Sequence, residues 1–282
     1  MDFKKITDYS VSNEEFYLKY DSSLELYQTT FVDFENLNKY YKSQKYISHT
    51  DGKANWFEYI YQFIKKFTIR KKWRLIEKFF KNKQLNVLDI GCGTGDFLKH
   101  GLLSNHFVVG VEPNEDARKL AIAKGLQVHE DFTQIVYEKY DVITLWHVLE
   151  HVPDYENYLL EIKKMLKDEG VLIIAVPNFK SYDAIYYKEF WAAWDVPRHL
   201  WHFSSHAIQQ IAKKFHYDLL AVKPMLFDSF YVSLLSEEYK TGRKNIIAAF
   251  YRGFLSNIKA YNSKQYSSHI YILKNKSLKR DL

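Results

Sequence analysis

From Asn86 onward, short apolar runs alternate with amphipathic stretches along the chain. Val87, Leu88 and Ile90 form a run typical of a strand that is buried on both faces. Further apolar runs at 107–111, 126–128, 140–145, 171–176, 219–222 and 269–274 predict six more strands. Helical patterns at 97–103, 114–125, 154–166 and 204–215 separate several of them, with Gly170 marking the end of the third. This alternation predicts a parallel, doubly wound α/β sheet.

The first 48 residues predict a small separate unit that is rich in β-structure. Two runs of strand-forming residues, 16–20 and 24–31, flank a polar turn at 21–23. After a second turn at 49–52, the pattern of 56–81 predicts one long amphipathic helix. We therefore divide the chain into a unit of residues 1–48 and a larger domain of residues 49–282.

Two stretches of the larger domain are expected to be insertions. Residues 177–203 form a long connection with many aromatic side chains, and it follows the carboxyl end of a predicted parallel strand. Open α/β sheets bind ligands on that side, so we expect a lid there. Residues 230–239 and 246–260 predict two helices before the last strand, where they could widen a binding site or form a homodimer contact.

Composition narrows the class of protein. Aromatic residues make up 17% of the chain, more than one core requires, so some of them are expected to line a ligand cavity. The sequence has no apolar run of about 18 residues and no signal peptide, which predicts a cytoplasmic protein without a membrane span. The single cysteine, Cys92, excludes an internal disulfide and a cysteine-based zinc site. The net charge of +6 includes a lysine–arginine cluster at 65–74, which we interpret as a solvated helix face rather than a nucleic-acid site.

Three alternating glycines follow the first strand of the larger domain. Gly91, Gly93 and Gly95 can adopt positive φ and let a ligand approach the backbone, at a helix N-terminus where free N–H groups favour anions. Asp96 occupies the third glycine position of a dinucleotide fingerprint, and no Gly-Lys-Ser/Thr sequence completes a phosphate loop. A tight turn in an unrelated α/β protein remains the alternative interpretation.

The glycine pattern, with Asp89 ahead of it, resembles the S-adenosylmethionine (SAM) loop of class I methyltransferases. Glu112 ends the second strand, where a carboxylate can accept hydrogen bonds from both hydroxyls of a ribose. The resemblance also implies that Asp131 and Phe132 contact adenine. The cofactor-binding residues predicted in this way are Asp89, Gly91, Cys92 (through its backbone), Gly93, Gly95, Glu112, Pro113, Asp131, Phe132, Trp146 and His147.

The sequence Trp-His-Val-Leu-Glu-His-Val-Pro-Asp at 146–154 resembles the segment after the fourth strand in small-molecule O-methyltransferases, including those of ubiquinone biosynthesis. The resemblance covers residues 86 to about 215. It implies a Rossmann-like sheet of seven strands in the order 3-2-1-4-5-7-6, with strand 7 antiparallel. Some similar enzymes begin with a cysteine-bearing zinc knuckle; the corresponding stretch here has no cysteine, so we expect no zinc.

Methyl transfer to a hydroxyl requires an oriented acceptor and a base, and histidine is the suitable side chain at neutral pH. The possible bases are His147, His151, His199 and His202. His151 is the first candidate, because it follows the fourth strand, and His199 is the second. Either histidine could instead only orient a loop. The Asp-x-Pro-Arg-His run at 195–199 resembles a segment near the acceptor pocket of related methyltransferases. The predicted acceptor-binding residues are Tyr186, Trp191, Trp194, Arg198 and His202.

The same segment contains a possible set of metal ligands. His147, Glu150 and His151 have a spacing that places them on one face of a helical turn, and some ubiquinone-pathway enzymes bind a divalent ion near it. His147 occupies the position where the resemblance implies a glutamate, so we expect no metal.

These observations predict a SAM-dependent methyltransferase that acts on a small molecule, most readily at a hydroxyl oxygen. Two alternatives remain open: an RNA-modifying methyltransferase, favoured by the basic cluster, and a SAM-binding protein without catalytic activity. We do not expect nucleic acid as a partner, because the sequence has no recognisable RNA-binding module.

Overall fold

A computed structural model describes residues 3–33, 35–41, 56–80, 83–135 and 139–276 of the chain. Its strands are β1 Phe3–Thr7, β2 Glu15–Asp21, β3 Leu26–Thr30, β4 Asn86–Ile90, β5 Phe107–Val111, β6 Gln127–His129, β7 Tyr140–Trp146, β8 Leu166–Pro177, β9 Trp201–Phe203, β10 Tyr217–Pro224 and β11 Ser268–Asn275. Its α-helices are α1 Trp56–Phe80, α2 Asp96–Leu103, α3 Glu115–Ala123, α4 Tyr155–Met165, α5 Tyr182–Tyr187, α6 Ser205–Lys214, α7 Asp228–Thr241 and α8 Ile246–Ser263. None of the helices in these ranges has the length and hydrophobicity needed to cross a bilayer.

The larger sheet has seven strands in the order β10-β11-β8-β7-β4-β5-β6. Numbered from β4, this is the predicted order 3-2-1-4-5-7-6, so the prediction of a Rossmann-like α/β fold is confirmed. β4 pairs in parallel with both β5 and β7, and β5 pairs in parallel with β6. The carboxyl ends of these four strands therefore lie at one edge of the sheet, where α/β proteins bind ligands.

The chain divides into two compact units that each contain several separate segments. The described residues of the first lie within Met1–Ser43, His147–Leu159 and Ile174–Leu273, and those of the second within Gln44–Trp146, Leu160–Ile173 and Lys274–Leu282. The sequence-based boundary near residue 48 stays a prediction. The predicted turn at 49–52 lies outside the described residues.

The second unit is built on β4 to β7 and the helices between them. The apolar side chains of β4, β7 and the end of β5 are buried, as their continuous hydrophobic runs predict. Trp73 of α1 is also buried; its ring stacks on Phe97 of α2 at 4.8 Å, and its indole N–H donates to the Phe97 carbonyl at 2.8 Å. Gly101 permits this packing, because a Cβ there would lie 2.1 Å from the Trp73 ring.

The first unit contains a second sheet of four strands in the order β1-β2-β3-β9, with all its pairings antiparallel. Two of these strands correspond to the predicted runs at 16–20 and 24–31. The sequence analysis missed β1, and it also missed β9, which lies at the end of the predicted lid. Leu26 of β3 pairs with Phe203 of β9, so this short strand is defined by a partner far away in the sequence.

The ring-rich connection 177–203 forms much of the core of the first unit. Trp191 and Trp194 are 2% and 3% exposed and belong to one apolar cluster with Phe16 and Leu18 of β2. That the connection closes over a ligand stays a prediction.

The helix starts and stops follow the capping residues, with one correction. Asn114 and Ser204 accept hydrogen bonds from the first-turn N–H groups of α3 and α6. Gly170, however, does not end the helix predicted at 154–166. That helix is α4; it ends at Met165, and Gly170 lies inside β8. The buried side chain of Leu166 already belongs to the strand, which explains why the strand begins earlier than the apolar run at 171–176 indicates.

Candidate functional site

The predicted SAM loop joins β4 to α2 in the second unit. Gly91, Gly93 and Gly95 have φ values of 71°, 55° and 78°, in the left-handed region that favours glycine. The N–H groups of Gly91 and Cys92 donate to the Val111 carbonyl at 2.8 and 3.0 Å, which fixes the loop to the end of β5. The structure therefore gives the loop the left-handed backbone conformation that its glycines predict.

The space beside the loop differs between two of these glycines. A Cβ added to Gly95 would lie 2.4 Å from Leu126 Cδ1, so this residue must be small for packing. A Cβ added to Gly93 would have no atom within 4 Å among the described residues. Gly93 thus borders open space into which a ligand can approach the backbone.

Glu112 binds the same loop. Its Oε2 accepts the Gly93 N–H at 2.8 Å, and its Oε1 accepts the Asn114 N–H at 2.9 Å. Burial raises the pKa of this carboxyl, although both backbone donors and Arg118 oppose the shift. A carboxylate has about four acceptor positions, so each oxygen retains capacity for a ribose hydroxyl.

Asp89 lies in β4 and is 2% exposed. Its Oδ1 accepts a hydrogen bond from the hydroxyl of Thr144 in β7 at 2.6 Å. Burial raises the pKa of Asp89 to about 7, despite this donor and the positive charge of Lys72. Thr144 is a residue that the sequence analysis did not single out, because a threonine inside an apolar strand gives no signal by itself.

Two further predicted residues border this region. Cys92 is buried, and burial raises the pKa of its thiol, so the structure gives it no reactive thiolate. Trp146, at the end of β7, has its ring 3.9 Å from Lys72 Nζ and 5.8 Å from the Phe97 ring centre. Its indole N–H is buried and has no hydrogen-bond partner among the described residues. A buried unpaired donor is costly, which makes it a candidate contact for a ligand.

The predicted adenine contacts lie after β6. Asp131 is exposed, and its Oδ1 accepts the Thr133 N–H at 2.7 Å. This bond caps the 3₁₀ turn Phe132–Gln134, in which Phe132 is half-buried. Pro113 is exposed and follows Glu112, and its carbonyl accepts from Arg118 at 2.9 Å. Adenine contact by these residues stays a prediction.

His147 begins the part of the first unit that contains the histidine cluster. It has a φ of 58°, and its two ring nitrogens lie 3.2 Å from Glu150 Oε1 and 3.0 Å from Asp228 Oδ2. Burial disfavours the charged ring, but these two carboxylates outweigh burial and raise the pKa of His147 to about 10. His147 is therefore an imidazolium that donates two hydrogen bonds, and it is not available as a base. The cofactor contact predicted for it stays a prediction.

His151 and His199, the two predicted bases, lie together, with ring centres 4.6 Å apart. His151 Nδ1 lies 3.0 Å from the Arg198 carbonyl, and His199 Nδ1 lies 2.9 Å from the Ala193 carbonyl. A carbonyl oxygen only accepts, so both Nδ1 atoms carry a proton, and the Nε2 of a neutral His151 presents a lone pair. Burial, together with the neighbouring His199, lowers the pKa of His151 to about 4, which keeps the ring neutral.

Glu150 completes this cluster. It is 0% exposed, and its Oε2 has no hydrogen-bond partner among the described residues. The His147 cation outweighs burial and lowers the pKa of Glu150, so it remains a carboxylate. Glu150, His151 and His199 each offer one atom within 4.8 Å of the others, a set that could hold a metal ion. The expectation of no metal stays a prediction.

Arg198 forms a buried ion-pair network near the histidines. Its Nε and Nη2 donate to both carboxylate oxygens of Asp195 at 3.0 and 2.6 Å. Nη2 also lies 3.2 Å from Asp8, and Nη1 donates to the Tyr40 carbonyl at 3.0 Å. The guanidinium therefore connects three chain segments of the first unit. Asp8 was missed by the sequence analysis, because its partner is 190 residues away.

The other predicted acceptor contacts also have partners within the protein. Trp191 and Trp194 donate their indole N–H groups to Asp183 and to the Lys188 carbonyl, at 2.8 and 2.7 Å. His202 is buried, which lowers its pKa, and its Nε2 lies 3.0 Å from the Thr29 hydroxyl. The Tyr186 ring lies 4.0 Å from the Arg252 guanidinium. Acceptor binding by these residues and by Arg198 stays a prediction.

The segment just before the larger domain carries three tyrosines, Tyr40, Tyr41 and Tyr46, and Tyr41 contacts the histidine cluster. Its hydroxyl lies 3.2 Å from His151 Nδ1. Tyr40 is 6% exposed and packs edge-on against Phe16. Tyr46 lies outside the described residues.

Comparison with protein-family models gives a match to the methyltransferase domain over residues 61–222. Among curated proteins, the chain is 35% identical over 106 residues to the ubiquinone biosynthesis O-methyltransferase of Haemophilus ducreyi, covering 33% of this chain and 45% of that protein. It is 28% identical over 141 residues to the demethylmenaquinone methyltransferase of Staphylococcus aureus, covering 43% of this chain and 58% of that protein. The chain thus spans less than half the length of the first of these relatives.

Solved structures resemble the fold at low sequence identity. A magnesium protoporphyrin IX methyltransferase from Synechocystis with bound S-adenosylhomocysteine gives a TM-score of 0.57 at 14% identity, covering 86% of this chain and 100% of that chain. The [4+2]-cyclase SpnF gives a TM-score of 0.52 at 15% identity, covering 80% of this chain and 84% of that chain. At these identities the likeness shows the fold.

Proposed function

The chain belongs to the methyltransferase-domain family, and from this premise we propose that it transfers the methyl group of SAM to a small-molecule acceptor, at a hydroxyl oxygen. The observation that carries the proposal is the contact between Glu112 and Gly93, which joins a carboxylate suited to a ribose with a glycine bordered by open space. The relatives named for ubiquinone and menaquinone methylation support a small-molecule acceptor.

The residues of the second unit fit this cofactor. The positive-φ loop at 91–95 would hold the amino-acid part against bare backbone, and Glu112 would accept from the ribose hydroxyls. The unpaired indole N–H of Trp146 offers a further donor. When bound, SAM supplies an electrophilic methyl group, so the chain has only to hold the reactants in line and remove a proton.

His151 is the proposed base, and His199 is the second candidate. Its Nδ1–H donates to the Arg198 carbonyl, which fixes the ring and leaves Nε2 free to accept the acceptor's hydroxyl proton. The lowered pKa keeps His151 neutral at pH 7, as a base must be before the reaction. Glu150 would stabilise the imidazolium that forms, because its carboxylate lies within 4.8 Å of the His151 ligand atom.

A methyl-transfer assay tests this assignment. The full chain is incubated with SAM and a panel of phenols and catechols, and products are identified by mass spectrometry. We expect His151→Ala to lower kcat by about 10²–10⁴-fold, the usual contribution of a general base, while the Kd for SAM stays within about twofold. His206→Ala serves as the matched control, because His206 is exposed. Unchanged turnover in His151→Ala would exclude this residue as the base.

The same assay separates the two alternatives. If SAM binds but no acceptor is methylated, the chain is a binding protein without catalysis. If methylation is seen only with RNA, and RNA affinity falls steeply with salt, the acceptor class is wrong. A cytoplasmic location and a homodimer stay predictions.

A further inference from the structure

Helix α8 has an unusual distribution of side-chain sizes in the first unit. Its buried stripe consists of four small residues, Ala249, Gly253, Ser256 and Ala260. A Cβ added to Gly253 would lie 2.8 Å from the Phe230 backbone, so the small residues allow α8 to approach α7 closely. The large apolar side chains of α8 are therefore not required for the packing of this stripe.

Those large side chains point outward. The outer face of α8 is formed by residues that are each 50–84% exposed: Ile247, Phe250, Tyr251, Phe254, Ile258 and Tyr261. Their spacing of three or four residues aligns them in one continuous stripe. A surface helix normally turns such a stripe toward the core, and a contiguous apolar patch of this size marks an interaction surface.

The segment that carries this outer face is rich in positive charge. Residues 240–264 contain no Asp or Glu but six basic residues, defined here as the basic rim: Lys240, Arg243, Lys244, Arg252, Lys259 and Lys264. The Arg252 guanidinium lies 4.0 Å from the Tyr186 ring centre, and Lys259 Nζ lies 4.0 Å from that of Tyr182. Cations and tyrosines at the border of an apolar stripe are typical of helices that lie in a membrane interface.

We propose that the outer face of α8 inserts into the headgroup region of an anionic phospholipid bilayer, with the basic rim contacting the lipid phosphates. The helix would lie on the membrane rather than cross it, in agreement with its length and hydrophobicity. This surface uses no residue assigned to methyl transfer above except Tyr186, whose acceptor contact is only predicted.

Charge and shape favour this partner over two others. A second copy of the chain, related by a twofold axis, would place one basic rim next to another, which is repulsive. Single-stranded RNA would stack its bases on the four rings of the outer face, but the most exposed side chain of this face, Ile247 at 84%, offers a base no ring. An anionic bilayer can bury the apolar stripe in its headgroup region and bind the cations through its lipid phosphates.

Vesicle co-sedimentation of the full chain tests the proposal. The probes are vesicles of phosphatidylcholine alone and of equimolar phosphatidylcholine and phosphatidylglycerol. We expect the chain to partition at least about tenfold more strongly into the anionic vesicles at low salt, and less strongly as salt screens the rim. Equal binding to both vesicle types, or no binding to either, overturns the proposal.

Matched variants identify the surface. Ile247→Ser combined with Phe254→Ser should reduce binding about tenfold or more, because it removes two large groups from the stripe. Phe63→Ser combined with Leu103→Ser is the control, since these side chains are 72% and 75% exposed on α1 and α2. Arg243→Glu with Lys244→Glu should also reduce binding to anionic vesicles about tenfold or more, whereas Lys78→Glu with Lys223→Glu should leave it unchanged. Equal losses in test and control pairs would show that the outer face is not the binding surface.

Two further results would contradict the proposal. Light scattering could show a dimer that Ile247→Ser/Phe254→Ser converts to a monomer, with no vesicle binding by the wild type. Fluorescence anisotropy could show tight binding of a single-stranded oligoribonucleotide that Arg243→Glu/Lys244→Glu abolishes, again without vesicle binding. The first result would assign the face to a second copy of the chain, and the second would assign it to RNA.

Discussion

At the scale of the residue, neighbouring groups decide which of several similar side chains can do chemistry. His147 and His151 are four positions apart, yet two carboxylates hold the first as a cation and burial keeps the second neutral. The sequence identified both as candidate bases, because both follow the carboxyl end of a parallel strand, where α/β sheets bind ligands. It could not separate them, because Asp228, which bonds His147, lies 81 residues further along the chain.

Asp89 gives a pH-dependent prediction for stability. Its pKa is raised to about 7 in the folded chain, whereas an unfolded aspartate titrates near 3.9, so the folded state binds more protons between these values. The free energy of unfolding therefore falls as pH rises from about 4 to 7, by at most about 1.4 kcal/mol per pH unit from this group.

Replacing Asp89 by Asn should remove this component. We expect Asp89→Asn to be more stable than the wild type at pH 8, with a difference that shrinks toward pH 4, in urea unfolding at several pH values. Asp116→Asn, at an exposed position of α3, should leave the pH slope unchanged. A stability difference independent of pH would contradict the account of Asp89.

At the scale of the element, the chain's glycines serve different needs that the sequence alone does not distinguish. Gly95 begins α2 and Gly242 ends α7, both with positive φ. A Cβ at Gly95 would overlap Leu126 and Ala121, whereas a Cβ at Gly242 would meet nothing within 4 Å among the described residues. A side chain at Gly95 would therefore cause both backbone strain and a steric clash, whereas one at Gly242 would cause only the strain.

This difference predicts unequal costs for the same substitution. Gly242→Ala should lower the free energy of unfolding by about 1–2 kcal/mol, the cost of a left-handed conformation. Gly95→Ala should lower it by roughly 2–5 kcal/mol, because overpacking adds to that strain. Urea titration monitored by tryptophan fluorescence measures both variants. Equal losses would show that Leu126 and Ala121 move aside at little cost.

Arg198 shows how one side chain joins elements that no local pattern connects. It bonds Asp195 in its own turn, Asp8 after β1 and the Tyr40 carbonyl in the 3₁₀ helix Leu37–Tyr41. The resemblance of the Asp-x-Pro-Arg-His run predicted an acceptor contact for this arginine. The structure adds a second role, because the arginine holds three segments of the first unit together. This role depends on tertiary contacts and therefore could not be predicted from the sequence.

Removal of this arginine should destabilise the first unit strongly. Arg198→Met leaves the buried carboxylate of Asp8 and the partly buried carboxylate of Asp195 without their cation, so we expect a loss of about 3–5 kcal/mol in the free energy of unfolding. Lys180→Met is the matched control: it breaks the partly exposed ion pair with Glu25, which is worth about 1 kcal/mol or less. A loss below about 1 kcal/mol in Arg198→Met would mean that the network contributes little to stability.

The elements themselves were predictable to different degrees. β4, β5 and β7 are continuous apolar runs, so their burial and parallel order follow from the sequence. β1 and β9 are not continuous apolar runs, because β1 contains two consecutive lysines and β9 has only three residues. Both are defined by partners in β2 and β3, and β9 lies more than 170 residues away from β3.

At the scale of the whole molecule, the methyltransferase family accounts for the sheet and the glycine loop but not for the additions. The family model matches residues 61–222, whereas β1 to β3 and helices α7 and α8 lie outside that range. Two members of the histidine cluster are matched by the family model in different segments: His151 follows β7, whereas His199 lies in the connection between β8 and β9. Both could be proposed from the sequence. The membrane surface proposed on α8 could not be inferred from the sequence, because the sequence does not reveal which face of the helix is buried.

The central claim is that the loop after β4 and Glu112 bind SAM, and calorimetric titration of the full chain with SAM tests it most directly. The account predicts one binding site, with affinity weakened about 10- to 100-fold in Glu112→Gln, because a charged acceptor of the ribose hydroxyls is lost. Glu115→Gln, at a side chain 68% exposed, should bind like the wild type. Equal affinity in Glu112→Gln and the wild type, or no binding of SAM at all, would contradict the account.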